Sequence, residues 1–308
     1  MSLYITFLGT SGAVPTTKRN PSSIFVNREG DGFLFDVGEG TQRQMMRFGT
    51  GFDISDIFIT HLHGDHVFGL PGLIQTWDFS DREKKLRIHA PRSGTGHVDD
   101  LIHTLGNVPD FPIAINGIDP GDKVIEREEY EVRSYRTEHR ADSVGYVVEE
   151  SERRGRFDRE RAEELGVPVG PKFSKLHRGE PVELEDGRVV QPNEVVGPPR
   201  PGRCLVYTGD TRPVESTVSV AESADLLIHD ATFSSDAKQR AKETGHSTAR
   251  EAGRIASEAG VSRLALTHIS SRYSGDASIL ADEAAVVFDG KSFVPTDGQS
   301  LDIPFPSD

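Results

Sequence analysis

The sequence predicts an α/β fold, a four-layer αββα sandwich in which two β-sheets pack face to face and helices cover the outer faces. The first observation behind this prediction is a series of short apolar runs, rich in Ile, Val, Leu and Phe, each closed by Gly, Asp, His or Asn. The second is that helical patterns lie between several of these runs. The third is a stretch at about 151–202 that breaks the pattern without dividing the 308-residue chain into two halves.

Eight apolar runs have the length and composition of β-strands. In chain order they are Tyr4–Leu8, Ser23–Val26, Phe33–Phe35, Ile57–Thr60, Leu205–Thr208, Leu226–Ile228, Arg263–Thr267 and Phe293–Val294. Two helices are predicted between them. One covers Gly40–Phe48, and the other covers Ser247–Glu258, where Ala and Ile recur at three- and four-residue spacing and Gly260 follows as a helix-ending residue.

The region at about 151–202 has little apolar content and many Pro and Gly residues, with a hairpin-like segment at Leu184–Val190. We expect a protruding flexible arm inserted into a single domain of residues 1–308; a plain surface insertion or a disordered linker is the alternative. Between Leu165 and Glu180 its charged residues are all basic, and Phe173 lies among them. This combination favours a phosphate-binding surface.

Composition restricts the class of protein. The single cysteine, Cys204, excludes a disulfide framework and a thiolate-rich zinc site, so metal would be bound through nitrogen and oxygen. No secretion signal or membrane-spanning run is evident, and we expect a soluble cytoplasmic protein with no membrane partner. The formal net charge of −14 disfavours a polyanionic partner unless basic groups are gathered locally.

The strongest motif is His61-Leu62-His63-Gly64-Asp65-His66, which directly follows a predicted strand. Imidazole nitrogen and carboxylate oxygen are ligands that zinc accepts readily. Because four such donors in one short loop cannot all reach a single ion without contortion, the motif favours two zinc ions.

Further donors follow other extended runs, where the carboxyl ends of strands bring side chains together. They are His139, Asp210 and His268. Each alone could be an ordinary polar residue at the start of a loop, but their repetition favours ligation. We expect His61, His63 and His139 to form one pocket and Asp65, His66 and His268 to form a second, with Asp210 bridging both.

Two cations about 3.5 to 4 Å apart would lower the pKa of a shared water molecule, which makes it a nucleophile. Asp65 would bind metal and also serve as the general base. His246 would be a general acid for a phosphodiester leaving group, or else an ordinary surface histidine next to a helix start. His229, Asp230 and Asp36 are candidates for orienting the ligands.

Together with Phe35–Gln42, these residues resemble the metallo-β-lactamase superfamily and, within it, the ribonuclease Z family. Similar motifs include His229–Phe233, His246–Thr248 and Leu266–Tyr273. The resemblance implies a zinc-dependent endoribonuclease, with two zinc ions per subunit, that removes the 3′ trailer from precursor tRNA. The products would be a 3′-hydroxyl on the tRNA and a 5′-phosphate on the trailer. It also implies a homodimer.

Two segments would contact RNA by the same resemblance. The region from Gly170 to Pro199 resembles the family's flexible arm, which grips the tRNA body, and the early loop Pro15–Asn20 resembles the family's P-x-K-x-R-N loop, which is associated with the end of the acceptor stem. In this chain Thr17 occupies the lysine position of that loop. The alternative is that the loop is an ordinary polar turn with no role in RNA binding. The expected RNA-binding residues are Lys18, Arg19, Asn20, Gly170, Pro171, Lys172, Lys175 and Arg178.

Two rival functions remain on sequence grounds. Another metallo-β-lactamase-fold hydrolase, such as a small-molecule phosphodiesterase or a thioesterase, would share the metal motif, because a fold does not fix the substrate. An RNA-binding subunit with a degenerate metal centre would need missing ligands, whereas every expected ligand position holds a competent donor.

Overall fold

The computed structural model describes residues 2–104, 106 and 108–306. The described chain divides into two compact units. The first contains the residues up to Glu149 together with Arg203–Pro304, and the second contains Glu150–Gly202 with Phe305 and Pro306. None of the described helices is long and apolar enough to span a bilayer.

The strands and helices are numbered in chain order. The strands are β1 Leu3–Gly9, β2 Ser11–Gly12, β3 Ser23–Arg28, β4 Asp31–Phe35, β5 Asp56–Phe58, β6 Leu86–Pro91, β7 Ile113–Ile118, β8 Lys123–Glu126, β9 Tyr130–Arg136, β10 Val144–Glu150, β11 Val182–Glu183, β12 Val189–Val190, β13 Cys204–Tyr207, β14 Leu226–Asp230, β15 Arg263–Thr267, β16 Ile269–Ser270, β17 Lys291–Phe293 and β18 Ser300–Asp302. The α-helices are α1 Thr41–Phe48, α2 Gly64–Val67, α3 Leu70–Phe79, α4 Thr95–Ile102, α5 Arg159–Glu164, α6 Pro171–His177, α7 Glu215–Val220, α8 Lys238–Thr244, α9 Ala249–Ala259 and α10 Ser278–Ala285.

The first unit contains two seven-stranded sheets. One has the order β18-β1-β3-β4-β5-β6-β7, and the other has the order β17-β15-β14-β13-β10-β9-β8. In the first sheet β4, β5, β6 and β7 are parallel, and in the second β13, β14, β15 and β17 are parallel. Parallel strands end at the same sheet edge, so the loops that follow them are brought together.

The side chains of β4 show how the layers form. Phe33 and Phe35 belong to a buried cluster that also contains Tyr146 and Leu205 of the second sheet, whereas Leu34 belongs to the cluster that the first sheet makes with α1, α3 and α4. This alternation with a period of two places one strand between two cores. A third cluster joins the outer face of the second sheet to α9 and α10. The predicted four-layer αββα sandwich is therefore confirmed.

Element boundaries differ from the sequence predictions by a few residues. The second predicted helix begins at Ala249 because Thr248 is its N-cap: the Thr248 hydroxyl accepts from the Glu251 amide, and the Glu251 carboxylate accepts from the Thr248 amide. The first helix begins at Thr41, since Gly40 precedes it with φ +80°. Strands β6, β7, β8, β10 and β18 of the two large sheets, and the two-residue strands β2 and β16, were missing from the predicted set.

The second unit has its own small core. Ala162, Leu176 and Val195 are buried in it, and Phe157 and Phe173 lie against each other with ring centroids 4.9 Å apart. Strands β11 and β12 pair in an antiparallel hairpin with Val182 opposite Val190. The segment thus contains regular secondary structure and buried apolar side chains.

A buried carboxylate stabilises the first sheet at its parallel strands. Asp56 accepts hydrogen bonds from Arg87 Nε at 2.6 Å, His89 Nε2 at 2.9 Å and the Ser55 hydroxyl at 2.8 Å. Burial alone would raise the pKa of the Asp56 carboxyl, but these bonds and the Arg87 charge lower it from 3.8 to about 2. The ionised carboxylate is therefore favoured by folding.

Replacing Asp56 with asparagine is expected to lower the free energy of unfolding at neutral pH by about 2 kcal/mol. Because the folded pKa is depressed, the stabilisation is complete above the unfolded pKa and is lost as the pH falls from about 4 to about 2. The two proteins should therefore converge in acid, as measured by urea unfolding across this range. Asp53→Asn, which breaks an exposed pair with Lys84, is the control and should change little. A loss of unfolding free energy that is the same at every pH would contradict the assignment of this stabilisation to the ionised Asp56 carboxylate.

Candidate metal centre

The His61–His66 motif lies where β5 ends at the edge of the first sheet. The chain turns from β5 into α2, and His63 is the N-cap residue of that short helix. His61 and His66 are completely buried, while Asp65 remains partly exposed. The turn therefore directs four donors of one segment into the space between the sheet ends.

One cluster joins the first two motif histidines to donors from the second sheet. His63 Nδ1 lies 3.0 Å from His61 Nε2 and 3.2 Å from His139 Nε2. Asp210 Oδ2 lies 3.5 Å from His61 Nε2 and 3.8 Å from His139 Nε2. Four ligands at a tetrahedral zinc ion with bonds of about 2.0 to 2.1 Å are themselves about 3.4 Å apart. The observed spacings are compatible with such a site.

A second cluster contains Asp65, His66 and His268, with Asp210 beside them. His268 Nε2 lies 3.1 Å from Asp65 Oδ2 and 3.3 Å from Asp210 Oδ2. His66 Nε2 lies 3.6 Å from Asp65 Oδ2 and 3.3 Å from Asp210 Oδ1. Asp210 thus stands between the two clusters, with one oxygen near His61, His139 and His268 and the other near His66.

Among the described residues, two candidate ligand atoms are fully buried without a hydrogen-bond partner, namely His66 Nε2 and Asp210 Oδ1. They face each other at 3.3 Å without the angles of a hydrogen bond. A buried polar atom without a partner costs free energy. A cation between these atoms would remove that cost, so the donor set fits a metal site.

The ring nitrogen that points away from the cluster is held in four of these histidines. His66 Nδ1 donates to Asp36 Oδ2 at 2.8 Å, and His139 Nδ1 donates to the Gly245 carbonyl oxygen at 2.8 Å. Such bonds fix the tautomer and leave the lone pair of the opposite nitrogen for metal. Hydroxyl groups take the same role at His61 Nδ1, which lies 3.1 Å from Thr60 Oγ1, and at His268 Nδ1, which lies 2.8 Å from Thr232 Oγ1.

The charges of the site suit cation binding. Burial lowers the pKa values of His61, His63 and His139, which keeps these rings neutral. Burial would raise the pKa of Asp210, but the neighbouring histidines lower it well below its ordinary value. Burial lowers the pKa of His66, but the carboxylates of Asp210 and Asp36 raise it by more, to well above its ordinary value. Protons therefore compete with metal at this ring.

Asp36 connects several elements behind the cluster. Besides His66 it accepts hydrogen bonds from the Thr60 amide at 2.8 Å and from the Tyr207 hydroxyl at 2.8 Å. Its φ of +56° is unusual for a residue other than glycine. His268 is also in this region, at φ +60°. Strained backbone at these two positions is typical of functional sites held by their surroundings.

His246 lies beside the two clusters. Its Nδ1 is 2.8 Å from Asp230 Oδ2, and its ring stacks on that of His268 with centroids 4.9 Å apart. Burial lowers the pKa of His246, but the Asp230 carboxylate more than offsets this and raises it to about 9. Asp230 is itself fixed, because it also accepts from the Thr232 amide at 2.9 Å. The Asp230 carboxylate thereby favours the protonated form of the His246 ring.

The sequence did not indicate the role of Arg212. Its backbone amide donates to the Glu138 carbonyl oxygen at 2.7 Å, next to His139. Its guanidinium donates to the His246 carbonyl oxygen and pairs with Glu251 at 3.0 Å. Arg212 therefore fixes the loops that carry His139, Asp210 and His246 relative to one another.

A cleft of about 830 Å³ opens above the clusters. This volume is within the range of ligand-binding sites in proteins. Its lining includes ligand candidates and residues that the sequence analysis did not single out. They are Ala13, Pro15, Pro21, Glu39, His63, Gly64, Asp65, Phe68, His139, Arg140, Thr244 and His246.

The early loop reaches this cleft, but its polar residues differ in exposure. Lys18 is exposed. The Arg19 guanidinium donates to Thr10 Oγ1 and to the Pro295 carbonyl oxygen, both at 2.6 Å. Asn20 is buried, and its Nδ2 donates to the Glu39 carbonyl oxygen. Arg19 and Asn20 thus bind the protein's own atoms and hold the loop in place.

The expected RNA-binding residues of the second unit lie in and around α6. Gly170 is its N-cap residue at φ +145°, and Pro171 is its first residue. Lys175 is exposed, Lys172 Nζ donates to the Glu183 carbonyl oxygen, and Arg178 pairs with Glu180.

Comparison with known proteins agrees with this architecture. Residues 3–106 match the family model for anti-Pycsar protein Apyc1, and residues 194–269 match the model for the beta-lactamase superfamily domain. A solved structure of human tRNase Z, short form, matches with a TM-score of 0.72 at 26% identity, covering 98% of this chain and 100% of that chain. A metallo-beta-lactamase fold protein from Bacillus subtilis matches with a TM-score of 0.71 at 20% identity, covering 98% and 100%, which bears on the fold alone.

Curated relatives cover the whole sequence. A protein named Ribonuclease Z from Natronomonas pharaonis is 62% identical over 308 residues, which is 100% of both chains. Ribonuclease Z from Halobacterium salinarum is 63% identical over 99% of both, and that from Methanosarcina acetivorans is 50% identical over 98% and 99%. Since identity at this level extends over essentially the full length, the chain belongs to the ribonuclease Z family and has the metallo-β-lactamase fold.

Proposed function

We propose that this protein is a metal-dependent endoribonuclease that removes the 3′ trailer from precursor tRNA. It would leave a 3′-hydroxyl on the tRNA and a 5′-phosphate on the trailer. The observation that carries the proposal is the convergence of donors from separate loops around Asp210 in a chain whose relatives are named Ribonuclease Z. The human structural relative is named tRNase Z, which supports tRNA as the substrate.

We assign two zinc ions to the centre, one for each cluster. His61, His63 and His139 would hold the first, and Asp65, His66 and His268 would hold the second, with Asp210 shared. The spacings of 3.0 to 3.8 Å between donor atoms and the buried partnerless atoms at His66 and Asp210 support this assignment. Bound divalent ions would lower the pKa of water and offset the negative charge of a phosphodiester.

Asp65 is placed to act as the general base. Its Oδ2 accepts a hydrogen bond from the Ala13 amide at 2.7 Å and lies 3.1 Å from His268 Nε2. Burial would raise its pKa, but the bond with His268 and the charges of His66 and His268 lower it below its ordinary range. The carboxylate therefore stays ionised and can orient a water molecule; as general base it would accept the proton of a water whose own pKa bound cations would lower.

His246 is placed to act as the general acid. In hydrolysis the water oxygen bonds to phosphorus and the bond from phosphorus to the tRNA 3′ oxygen breaks. His246 would give its second ring proton, at Nε2, to that oxygen, while Asp230 stabilises the ring through Nδ1. The tRNA then ends in a 3′-hydroxyl, and the phosphate stays on the trailer.

His246→Ala is expected to slow single-turnover cleavage by about a hundred-fold or more, because the leaving oxygen loses its proton donor. The measurement is the rate at saturating enzyme, together with bound metal by mass spectrometry. Metal content should be unchanged. His103→Ala, which removes a half-exposed histidine paired with Asp99 on α4, is the control. Loss of one metal ion from His246→Ala would instead make this residue a ligand in a group with Asp210, Asp230 and His268.

We assign binding of the tRNA body to the arm at about 151–202. The exposed basic side chains of Lys175 and Arg178, together with Lys172, Gly170 and Pro171 around α6, would meet the RNA backbone. This gathers positive charge in a protein whose formal net charge is −14. Phosphate contacts of this kind position RNA without reading its sequence.

We assign the end of the acceptor stem to the early loop. Lys18 is exposed there and would contact RNA directly. Arg19 and Asn20 would act by holding the loop, because their side chains already bind Thr10 and Glu39.

A homodimer in the cytoplasm completes the proposal. Precursor tRNA is available in that compartment, and a single cysteine suits its reducing conditions.

Incubation with a 3′-extended precursor tRNA tests the proposed function. We expect one cut at the trailer junction, with a 3′-hydroxyl on the tRNA fragment and a 5′-phosphate on the trailer, and we expect a chelator to stop it. A protein that leaves the precursor intact but hydrolyses a small phosphodiester or a thioester would support the rival assignment as a small-molecule hydrolase.

A further inference from the structure

Two exposed side chains at the cleft take no part in the candidate metal centre or in the proton transfers assigned to Asp65 and His246. Phe68 is 62% exposed although it is a large apolar residue, and Arg140 is also exposed. Both line the same cleft as His63, Asp65 and His246. Exposed aromatic surface next to a reaction site calls for a ligand with an apolar face.

The protein makes room for the Phe68 ring. A Cβ atom at residue 64 would lie 2.2 Å from Phe68 Cε2, which is far too close. Gly64 does not have a positive φ, so its backbone conformation does not require glycine. Its missing side chain is explained by the ring that lies over it. The ring is therefore seated against the backbone of the metal motif and is exposed to the cleft.

Arg140 is supported in a comparable way. Its side-chain stem lies against Gly245, where an added Cβ would be 3.0 Å from Arg140 Cγ. Within the described ranges of the chain, neither a carboxylate nor a hydrogen-bond acceptor pairs with its guanidinium. An unpaired guanidinium beside His139 is well suited to bind a phosphate group in two-point contact.

We propose that Phe68 and Arg140 form a nucleotide subsite next to the scissile phosphate. Phe68 stacks on one base of the single-stranded RNA, and Arg140 binds a neighbouring phosphate. Aromatic rings stack on any unpaired base, so the subsite recognises the single-stranded state at the cut rather than a sequence. This inference rests on the proposed function, since it requires an RNA strand in the cleft.

The proposed stacking of a base on Phe68 is tested with substitutions that separate the effect of an aromatic ring from that of apolar volume. Phe68→Leu keeps apolar volume but not a ring, and Phe68→Tyr keeps the ring. We expect roughly ten-fold lower kcat/KM for precursor tRNA in Phe68→Leu and near-normal activity in Phe68→Tyr, with metal content unchanged in both. Phe79→Ala, which removes the ring at the end of α3 that is 92% exposed, is the control and should have no effect.

A substrate series identifies the stacked base. Single abasic nucleotides are placed at each position around the cut, and cleavage is measured with the wild type and with Phe68→Leu. At one position the abasic nucleotide should lower the cleavage rate of the wild type roughly ten-fold. The same substrate should lower the rate of Phe68→Leu little, because the partner ring is already gone. If abasic losses are the same in both proteins at every position, base stacking on Phe68 is wrong.

The phosphate half has a different signature. Arg140→Ala should lower kcat/KM roughly ten-fold and reduce its salt dependence by about 0.7 in the log–log slope, whereas Phe68→Leu should leave the slope unchanged. Arg254→Ala, at an exposed position of α9, is the matched charge control. An unchanged slope in Arg140→Ala would overturn this contact. If the wild type cuts precursor tRNA and the Phe68 and Arg140 variants cut it equally well, the proposed subsite is wrong but the proposed function stands. If the wild type does not cut precursor tRNA, the proposed function is wrong as well.

Discussion

Asp210→Ala is expected to lower precursor tRNA cleavage by about a thousand-fold or more and to remove at least one metal ion. Asp210 is the only residue of the assigned set whose oxygens face both clusters, with Oδ2 3.5 Å from His61 and 3.3 Å from His268, and Oδ1 3.3 Å from His66. Its loss removes a charge that both ions would share. Single-turnover kinetics and mass spectrometry of the purified protein measure the two effects.

The controls separate metal loss from unfolding. Asp210→Asn keeps the size of the side chain and one oxygen, and we expect it to bind metal more weakly than the wild type but to unfold at a similar urea concentration. Asp99→Ala removes an exposed carboxylate from α4 and should behave as wild type. If Asp210→Ala retains full cleavage with full metal content, the shared-ligand assignment is wrong.

Removing most of the arm is expected to lower kcat/KM for precursor tRNA by about a hundred-fold or more, chiefly through KM, because the phosphate contacts are lost. The pairing of Arg153 with Arg200 gives the junction, since the Arg153 amide donates to the Arg200 carbonyl oxygen at 2.7 Å and the reverse bond is 2.8 Å. Residues 154–199 can therefore be replaced by Asn-Gly, which joins two paired residues in a tight turn.

Hydrolysis of bis(p-nitrophenyl) phosphate is the readout that should not change, since this small phosphodiester has no tRNA body to be held. A point variant that leaves the second unit folded complements the deletion. Lys172, Lys175 and Arg178 are changed together to alanine, and Arg159→Ala, which breaks an exposed pair with Glu163, is the control in the same unit. Precursor tRNA cleavage that survives in both arm variants would contradict the assignment of the arm to RNA binding.

The sequence was informative where the residues of the site lie close together along the chain. The His61–His66 motif could be recognised directly, and donors that follow apolar runs led to Asp210 and His268, because parallel strands end at a common edge. The layer order was predictable from apolar runs alternating with helices. Strands such as β7 were missed because most of its residues are only half-buried, which weakens the apolar pattern.

Residues that act through tertiary contacts gave no such signal. Tyr207 binds Asp36 across 171 positions of sequence, and Arg212 reaches both Glu138 and His246. Nothing local marks a tyrosine in a strand or an arginine in a loop as part of a site. Phe68 is similar, since its exposure at the cleft depends on the seat provided by Gly64. Arg19 and Asn20 show the reverse case, because a motif position identified them while their contacts lie within the protein.

The number of metal ions per chain tests the central assignment most directly. The protein is stripped with a chelator, titrated with Zn²⁺, and followed by native mass spectrometry and by precursor tRNA cleavage in the same samples. We predict that cleavage returns as two ions bind per chain, and that Asp210→Ala fails to reach two. Full cleavage by a protein that carries no metal, or a plateau at a single ion per chain with full activity, would contradict the two-ion centre.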